Sequence, residues 1–169
     1  MKEYFHIDLS TKFSKNGNTG LACLRLPSKN HIGCALNNRV KRYIEKKLFL
    51  KENLREAYAK LYAICIYFLV EKDLSEIEKL VICNDEDFSF VKLYLEKLLK
   101  TQNKIEIISI TEFRKQLLRK VQSPADNYAR HYAKRALKIH KWHKGVSLNV
   151  IPITYTAIKQ KWNEIEKSK

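Results

Sequence analysis

Lys79-Leu-Val-Ile-Cys83 is a compact apolar run that ends in Asn84-Asp-Glu-Asp87. A run of this length, closed by turn-forming residues, reads as a buried strand. Forward of it, Phe90, Val91, Leu95, Leu98 and Leu99 recur at helical spacing and predict a helix from about Phe88 to Lys100. Lys104-Ile-Glu-Ile-Ile-Ser-Ile110 then reads as a further strand. Strand, helix and strand of these lengths imply a right-handed crossover that leaves the two strands parallel. Backward of the run, Leu50 to Val70 predicts a helix with Leu54, Ala57, Leu61, Ile64 and Phe68 on one face. Before it, the basic stretch Arg39–Phe49 carries Val40, Ile44 and Leu48 at i, i+4 steps. It fits a short helix or a continuation of the preceding strand.

The start of the chain is different in kind. Tyr4-Phe-His-Ile-Asp8, Leu21–Leu26 and His31–Leu36 are β-prone. Between them lie the loop Ser10–Gly20, with Asn16-Gly17 at its tip, and the turn Pro27-Ser-Lys-Asn30. Three strands in immediate succession predict an antiparallel meander. Beyond the fifth strand, helices are expected over Glu112–Val121 and from Pro124 to about Lys141. A last one is expected over Pro152–Lys167, with Tyr155, Ile158, Trp162 and Ile165 in step. The expected fold class is α/β: a mixed five-stranded sheet, three antiparallel strands then parallel ones, flanked by helices and carrying an extra C-terminal helix. Residues 1–145 form the main domain, and 146–169 a helical extension packed on it.

The net charge is +15, from 33 basic and 18 acidic side chains. Such an excess speaks to partners, since it concentrates polyanions near the surface, and it points to nucleic acid. Cys23, Cys34, Cys65 and Cys83 have no Cys-x-x-Cys spacing and sit among apolar neighbours, as buried reduced thiols do. A disulfide between Cys23 and Cys34 across the hairpin is the alternative. Met1-Lys-Glu-Tyr-Phe-His6 lacks the apolar run of a signal peptide, so a cytoplasmic location is expected. The most apolar stretch, Ala59–Val70, is too short to span a bilayer, and no membrane partner is expected.

The order β-β-β-α-β-α-β-α resembles that of the ribonuclease H-like superfamily, in particular ribonuclease H type 1, and short stretches of sequence resemble it too. Ile7-Asp8-Leu-Ser10, followed by the Asn16–Gly20 loop, is similar to the family's first strand and the loop that leaves it. Leu80-Val-Ile-Cys-Asn-Asp85 is similar to its fourth strand, which ends in an Asp, with Asp87 as the alternative. Ala125-Asp126-Asn-Tyr-Ala-Arg130 is similar to the segment where a last Asp opens a helix. The family's fourth carboxylate is a Glu in the first turn of its first helix. After Asn37-Asn38-Arg39 that position holds Lys41, whereas Ala57, Leu61 and Ile64 follow Glu56 at the family's spacing. The resemblance therefore implies Glu56, with Glu52 in reserve, and an inserted basic segment before the helix. The family's loop His has no counterpart, because Leu117–Ala125 contains none.

The resemblance implies that Asp8, Glu56, Asp85 and Asp126 are both catalytic residues and ligands of Mg²⁺ or Mn²⁺. Two divalent cations about 4 Å apart stabilise the attacking and leaving oxygens of a phosphodiester, and Mg²⁺ takes hard oxygen donors. Each residue also has an ordinary explanation. Asp8 can open a turn with Ser10, Asp85 or Asp87 can cap a helix, Asp126 can favour a helix dipole, and Glu56 can be solvated. Arg39, Lys41, Arg42, Lys46 and Lys47 before the long helix, and Arg130, Lys134, Arg135 and Lys138 along the helix opened by Asp126, suit phosphate contacts. Asn37 and Asn38 match asparagines that touch sugar or base edges in the family. Among the interleaved aromatics Tyr128, Tyr132, Trp142 and Trp162, the first two suit core packing better than stacking. His140 and His143 lack a third metal ligand. The expected activity is cleavage of the RNA strand of an RNA–DNA hybrid. A junction-resolving nuclease on branched or double-stranded DNA and an inactive nucleic-acid-binding module are the alternatives.

Overall fold

All residues of β1 (Glu3–Leu9) except Tyr4 are buried, which marks a strand covered on both faces. β2 (Thr19–Leu26) and β3 (His31–Leu36) follow it as an antiparallel meander, with Asp8 opposite Ala22 and Leu21 opposite Cys34. On its other side β1 pairs in parallel with β4 (Ile77–Ile82), and β4 pairs in parallel with β5 (Glu106–Ser109). The sheet order is β3-β2-β1-β4-β5. This computed structural model describes residues 2–100, 105–117, 123–135 and 148–168. The fold is the α/β class expected, a mixed sheet of three antiparallel strands and then parallel ones, flanked by helices. Lys138, His140, Trp142, His143 and the side chain of Arg135 lie outside the described residues.

The basic stretch after β3 is a helix, α1 (Asn38–Leu48), because the Asn37 side chain accepts from the Val40 N–H at 2.8 Å and caps it. α2 (Leu54–Val70) begins four residues later than expected, where Asn53 accepts from the Arg55 N–H at 2.9 Å. Its face is broader than the predicted stripe. Ala57, Leu61 and Ile64 are buried, but so are Ala59, Tyr62, Ala63 and Ile66, while Leu54 is exposed. α3 (Phe88–Leu99) is capped by Asp87. α4 (Ile110–Leu117) continues straight from β5, and α5 (Asp126–Arg135) and α6 (Tyr155–Lys167) complete the fold. No helix among the described residues is long and apolar enough to cross a membrane.

Strand alternation distributes the helices between two faces. Phe5, Ile7, Leu21 and Cys23 share one core cluster with α2. Tyr4 and His6 point the other way and meet Phe113 of α4, while Ala22 packs against Ala129 and Tyr132 of α5. α5 lies unusually close to the sheet. A Cβ on Gly20 would stand 2.2 Å from the Ala129 carbonyl oxygen, and one on Gly33 would stand 2.4 Å from the Tyr132 ring. Only residues without a Cβ fit there. The Tyr132 hydroxyl donates to the Asn149 carbonyl at 3.0 Å, and that carbonyl also accepts from the Gly33 N–H at 3.0 Å. Residues 149–151 thereby cover the free edge of β3.

α6 joins the α2 core through Ile158, Trp162 and Ile165. At their junction Lys60, with no exposed surface, is bonded by Glu52 at 2.7 Å and by Glu166. Its ammonium lies 4.5 Å from the centre of the Trp162 ring. All four cysteines are free and buried, and Cys34 faces Leu21 across the hairpin while Cys23 faces Ile32.

Two stability predictions follow from this packing. Gly20→Val is expected to cost about 3 kcal/mol in urea denaturation, by forcing α5 off the sheet. His6 is buried, and burial pushes its pKa down from 6.5 to about 4. The folded-state value lies below the unfolded one, so this contribution is intact above pH 6.5 and is lost as pH falls toward 4. Between pH 7 and pH 4.5 the wild-type protein should lose about 2 kcal/mol more than His6→Leu, measured by urea denaturation of both.

Candidate active site

Asp8 is the penultimate residue of β1, at the end of the sheet where β4 also stops, and it is 5% exposed. Its Oδ1 accepts from the Leu9 N–H at 2.8 Å. β4 delivers Cys83, Asn84 and Asp85 to the same end, and α5 opens there with Asp126. Asp8, Asp85 and Asp126 line one cavity of about 320 Å³, with Cys83, Asn84, Thr111, Arg114 and Ser123 around them. Ligand atoms of Asp8, Cys83 and Asp85 all lie within 4.8 Å of one another.

The electrostatics follow from crowding at low exposure. Burial raises the Asp8 pKa above its ordinary value, and the Asp85 charge adds to the rise. Hydrogen bonds from Ser123, Cys83 and the Leu9 amide oppose it. The Cys83 thiol donates to Asp85 Oδ2 at 2.8 Å and meets the Tyr62 hydroxyl at 3.0 Å. Burial and the two neighbouring carboxylates push its pKa well up, so it stays a neutral thiol. Asp126 is ion-paired with Arg130 at 2.8 Å. The donor set fits a hard divalent cation: two carboxylates converge, a third lines the same cavity, and the cavity leaves room for water ligands.

Three of the four predicted carboxylates therefore line one cavity, two of them in close approach, and Glu56 is not among them. Its side chain accepts from the Tyr94 hydroxyl on α3, while the reserve, Glu52, is bonded to Lys60. The reason is rotational. Arg55 and Tyr62, two helical turns apart, point from α2 toward the site, and Glu56, one step round from Arg55, points to α3. Asp87, the alternative to Asp85, is the α3 cap and pairs with Arg55.

The predicted nucleic-acid contacts divide. Lys41 is corrected: it is 1% exposed, and its ammonium donates to the Lys15 carbonyl at 2.7 Å and to Thr19 Oγ1 at 2.9 Å, tying α1 to the loop after β1. Asn37 is committed to its cap, and Asn38 Oδ1 is buried with no partner among the described residues. Arg42 pairs with Glu45 and reaches Asn16 Oδ1 at 2.9 Å. Arg130 holds Asp126. Arg39 and Lys134 are exposed. Tyr132 is core, as expected, and the half-buried Tyr128 packs against the same cluster, its ring 4.3 Å from that of His31, centre to centre.

Sequence reasoning missed three cations that border the site. Arg114 lines the site cavity. Lys12 and Arg55 line an adjoining one of about 540 Å³ that shares Asn84, Asp85 and Thr111 with it. Glu86 lines this second cavity too, accepts from the Phe13 N–H at 3.2 Å, and has its pKa raised by burial. No spacing groups these residues, which come from separate elements. Compared with protein families, with curated proteins and with solved structures, the chain finds no match in any of the three.

Proposed function

We propose that this protein is a metal-dependent endonuclease of ribonuclease H type, cutting the RNA strand of RNA–DNA hybrids. The observation that supports it is the convergence of Asp8 and Asp85, remote in sequence, at the sheet end, with Asp126 lining the same cavity. Carboxylates crowded in this way repel one another unless a cation is shared between them. Asp8 and Asp85 would hold the cation, Mg²⁺ or Mn²⁺, and Asp126 would complete its surroundings through water or directly. A divalent ion bound there supplies Lewis acidity at a phosphoryl oxygen and lowers the pKa of bound water.

The chain's own groups set up the rest. The Leu9 amide and Ser123 orient the Asp8 carboxylate, and the Cys83 thiol orients Asp85. Arg114, Lys12 and Arg55 border the two joined cavities, where they would neutralise phosphates on either side of the scissile bond. The position of Glu56 on α3's side favours one second reading, a binding module with the same fold and no hydrolysis.

Incubation with Mn²⁺ and matched RNA–DNA hybrid, double-stranded RNA and four-way junction distinguishes these readings. Cleavage of the hybrid is expected, and Asp8→Asn and Asp85→Asn should each lower it about 100-fold or more with far-UV circular dichroism unchanged. Cleavage of the junction alone moves the substrate to branched DNA; no cleavage of any substrate leaves the binding module. Mn²⁺ affinity, read by calorimetry, should fall as pH is lowered from 7 to 5. Asp8, with its raised pKa, takes up its proton earlier in that descent than an ordinary aspartate.

A further inference from the structure

We propose that the cleft between α1 and α6 is a nucleobase pocket that holds an unpaired stretch of polynucleotide. This rests on the nucleic-acid reading above and adds to it the form of substrate: a duplex or hybrid with a single-stranded flank. The cleft measures about 460 Å³ and is walled by Val40, Tyr43, Ile153 and Tyr155, with Arg39 and Lys46 at its rim. That size falls in the usual range of ligand sites, roughly 300–1,000 Å³.

Tyr43 leaves 47% of its surface open, which is unusual for a large ring on a helix whose Ile44 is fully buried. The rings of Tyr43 and Tyr155 stand 4.9 Å apart at 76°, forming a corner. A flat ring laid on one meets the edge of the other, the geometry aromatic groups prefer. Among the described residues Arg39 and Lys46 form no ion pair. The N-terminus of α6 opens on the same cleft at Thr154 and Tyr155, and its first turn carries no acidic side chain. Apolar walls inside a cationic rim call for an occupant with a flat ring and negative charge beside it. In a chain of net charge +15, a nucleotide unit satisfies both demands. The base must be unpaired, because the faces of paired bases are covered by their neighbours in the duplex.

The helix that walls the cleft begins at the end of the sheet where the carboxylates lie. β3 ends at Leu36 opposite Thr19, and Asp8 lies opposite Ala22. α1 therefore leaves the sheet at the end where Asp8 sits, two strands and about 10 Å from β1.

The test is fluorescence anisotropy of the whole chain in EDTA, with a short single-stranded oligonucleotide and an abasic sugar–phosphate strand of equal length. The base-bearing strand is expected to bind about 10-fold tighter or more. Tyr43→Ala should erase that difference and Tyr43→Phe should keep it. Arg39→Ala with Lys46→Ala should weaken both strands and flatten the salt dependence. Equal binding of the two strands by the wild-type chain overturns the pocket without any variant having to fold. An unchanged preference in Tyr43→Ala, or tighter binding of an acidic tyrosine-rich peptide, overturns it as well. Base preference that persists in a protein unable to cleave counts against the catalytic reading alone; cleavage without base preference counts against the pocket alone.

Discussion

A helix reaches backbone contact with a sheet only where no side chain stands between them, and Gly20 and Gly33 create that gap under α5. The rest of the arrangement depends on it. With α5 seated through Ala129 and Tyr132, its first residue, Asp126, arrives beside the ends of β1 and β4 instead of several ångströms above them. Tyr132 extends the same seating outward. Its hydroxyl fixes the Asn149 carbonyl, which brings residues 149–151 along the edge of β3 and leads the chain toward α6. Two missing Cβ atoms thus connect the carboxylate cluster to the closure of the sheet.

The sheet was legible because its signals are local. Lys79–Cys83 is short, apolar and closed by turn-forming residues, as buried strands are, and the first three strands are separated by recognisable turns. The segment with two readings, Arg39–Phe49, was settled by an interaction that spacing does not weigh, the side chain of Asn37 closing on the Val40 amide. Asp8, Asp85 and Asp126 were picked out by the resemblance to ribonuclease H, and each stands close to the end or at the start of an element on the same side of the sheet.

Glu56 and Lys41 show where such reading stops. Helical periodicity tells which residues share a face, but not how that face is turned toward its neighbours. Glu56 has the expected spacing from Ala57, Leu61 and Ile64, yet the rotation of α2 gives the site Arg55 and Tyr62. Charge is equally blind to pairing. Lys41 counts toward the net charge of +15, but its ammonium is enclosed by a carbonyl and a hydroxyl. Arg42 and Arg130 are likewise held by carboxylates of their own helices. Lys12, Arg55, which pairs with Asp87, and Arg114 border the two cavities; they belong to three unrelated stretches, and only the fold brings them to the site.

Lys60 carries a consequence for how the molecule is assembled. Its ammonium is sealed among Glu52, Glu166 and the Trp162 ring, and two of those three groups belong to α6. During synthesis the chain emerges from its N-terminus, so α2 is complete long before Trp162 and Glu166 leave the ribosome. Through that interval a positive charge on the helix at the heart of the molecule must either keep its water or do with Glu52 alone, because an incompletely paired buried ion is costly. α6 is therefore what allows α2 to dry, and the interior matures only when these two helices, made far apart in time, meet.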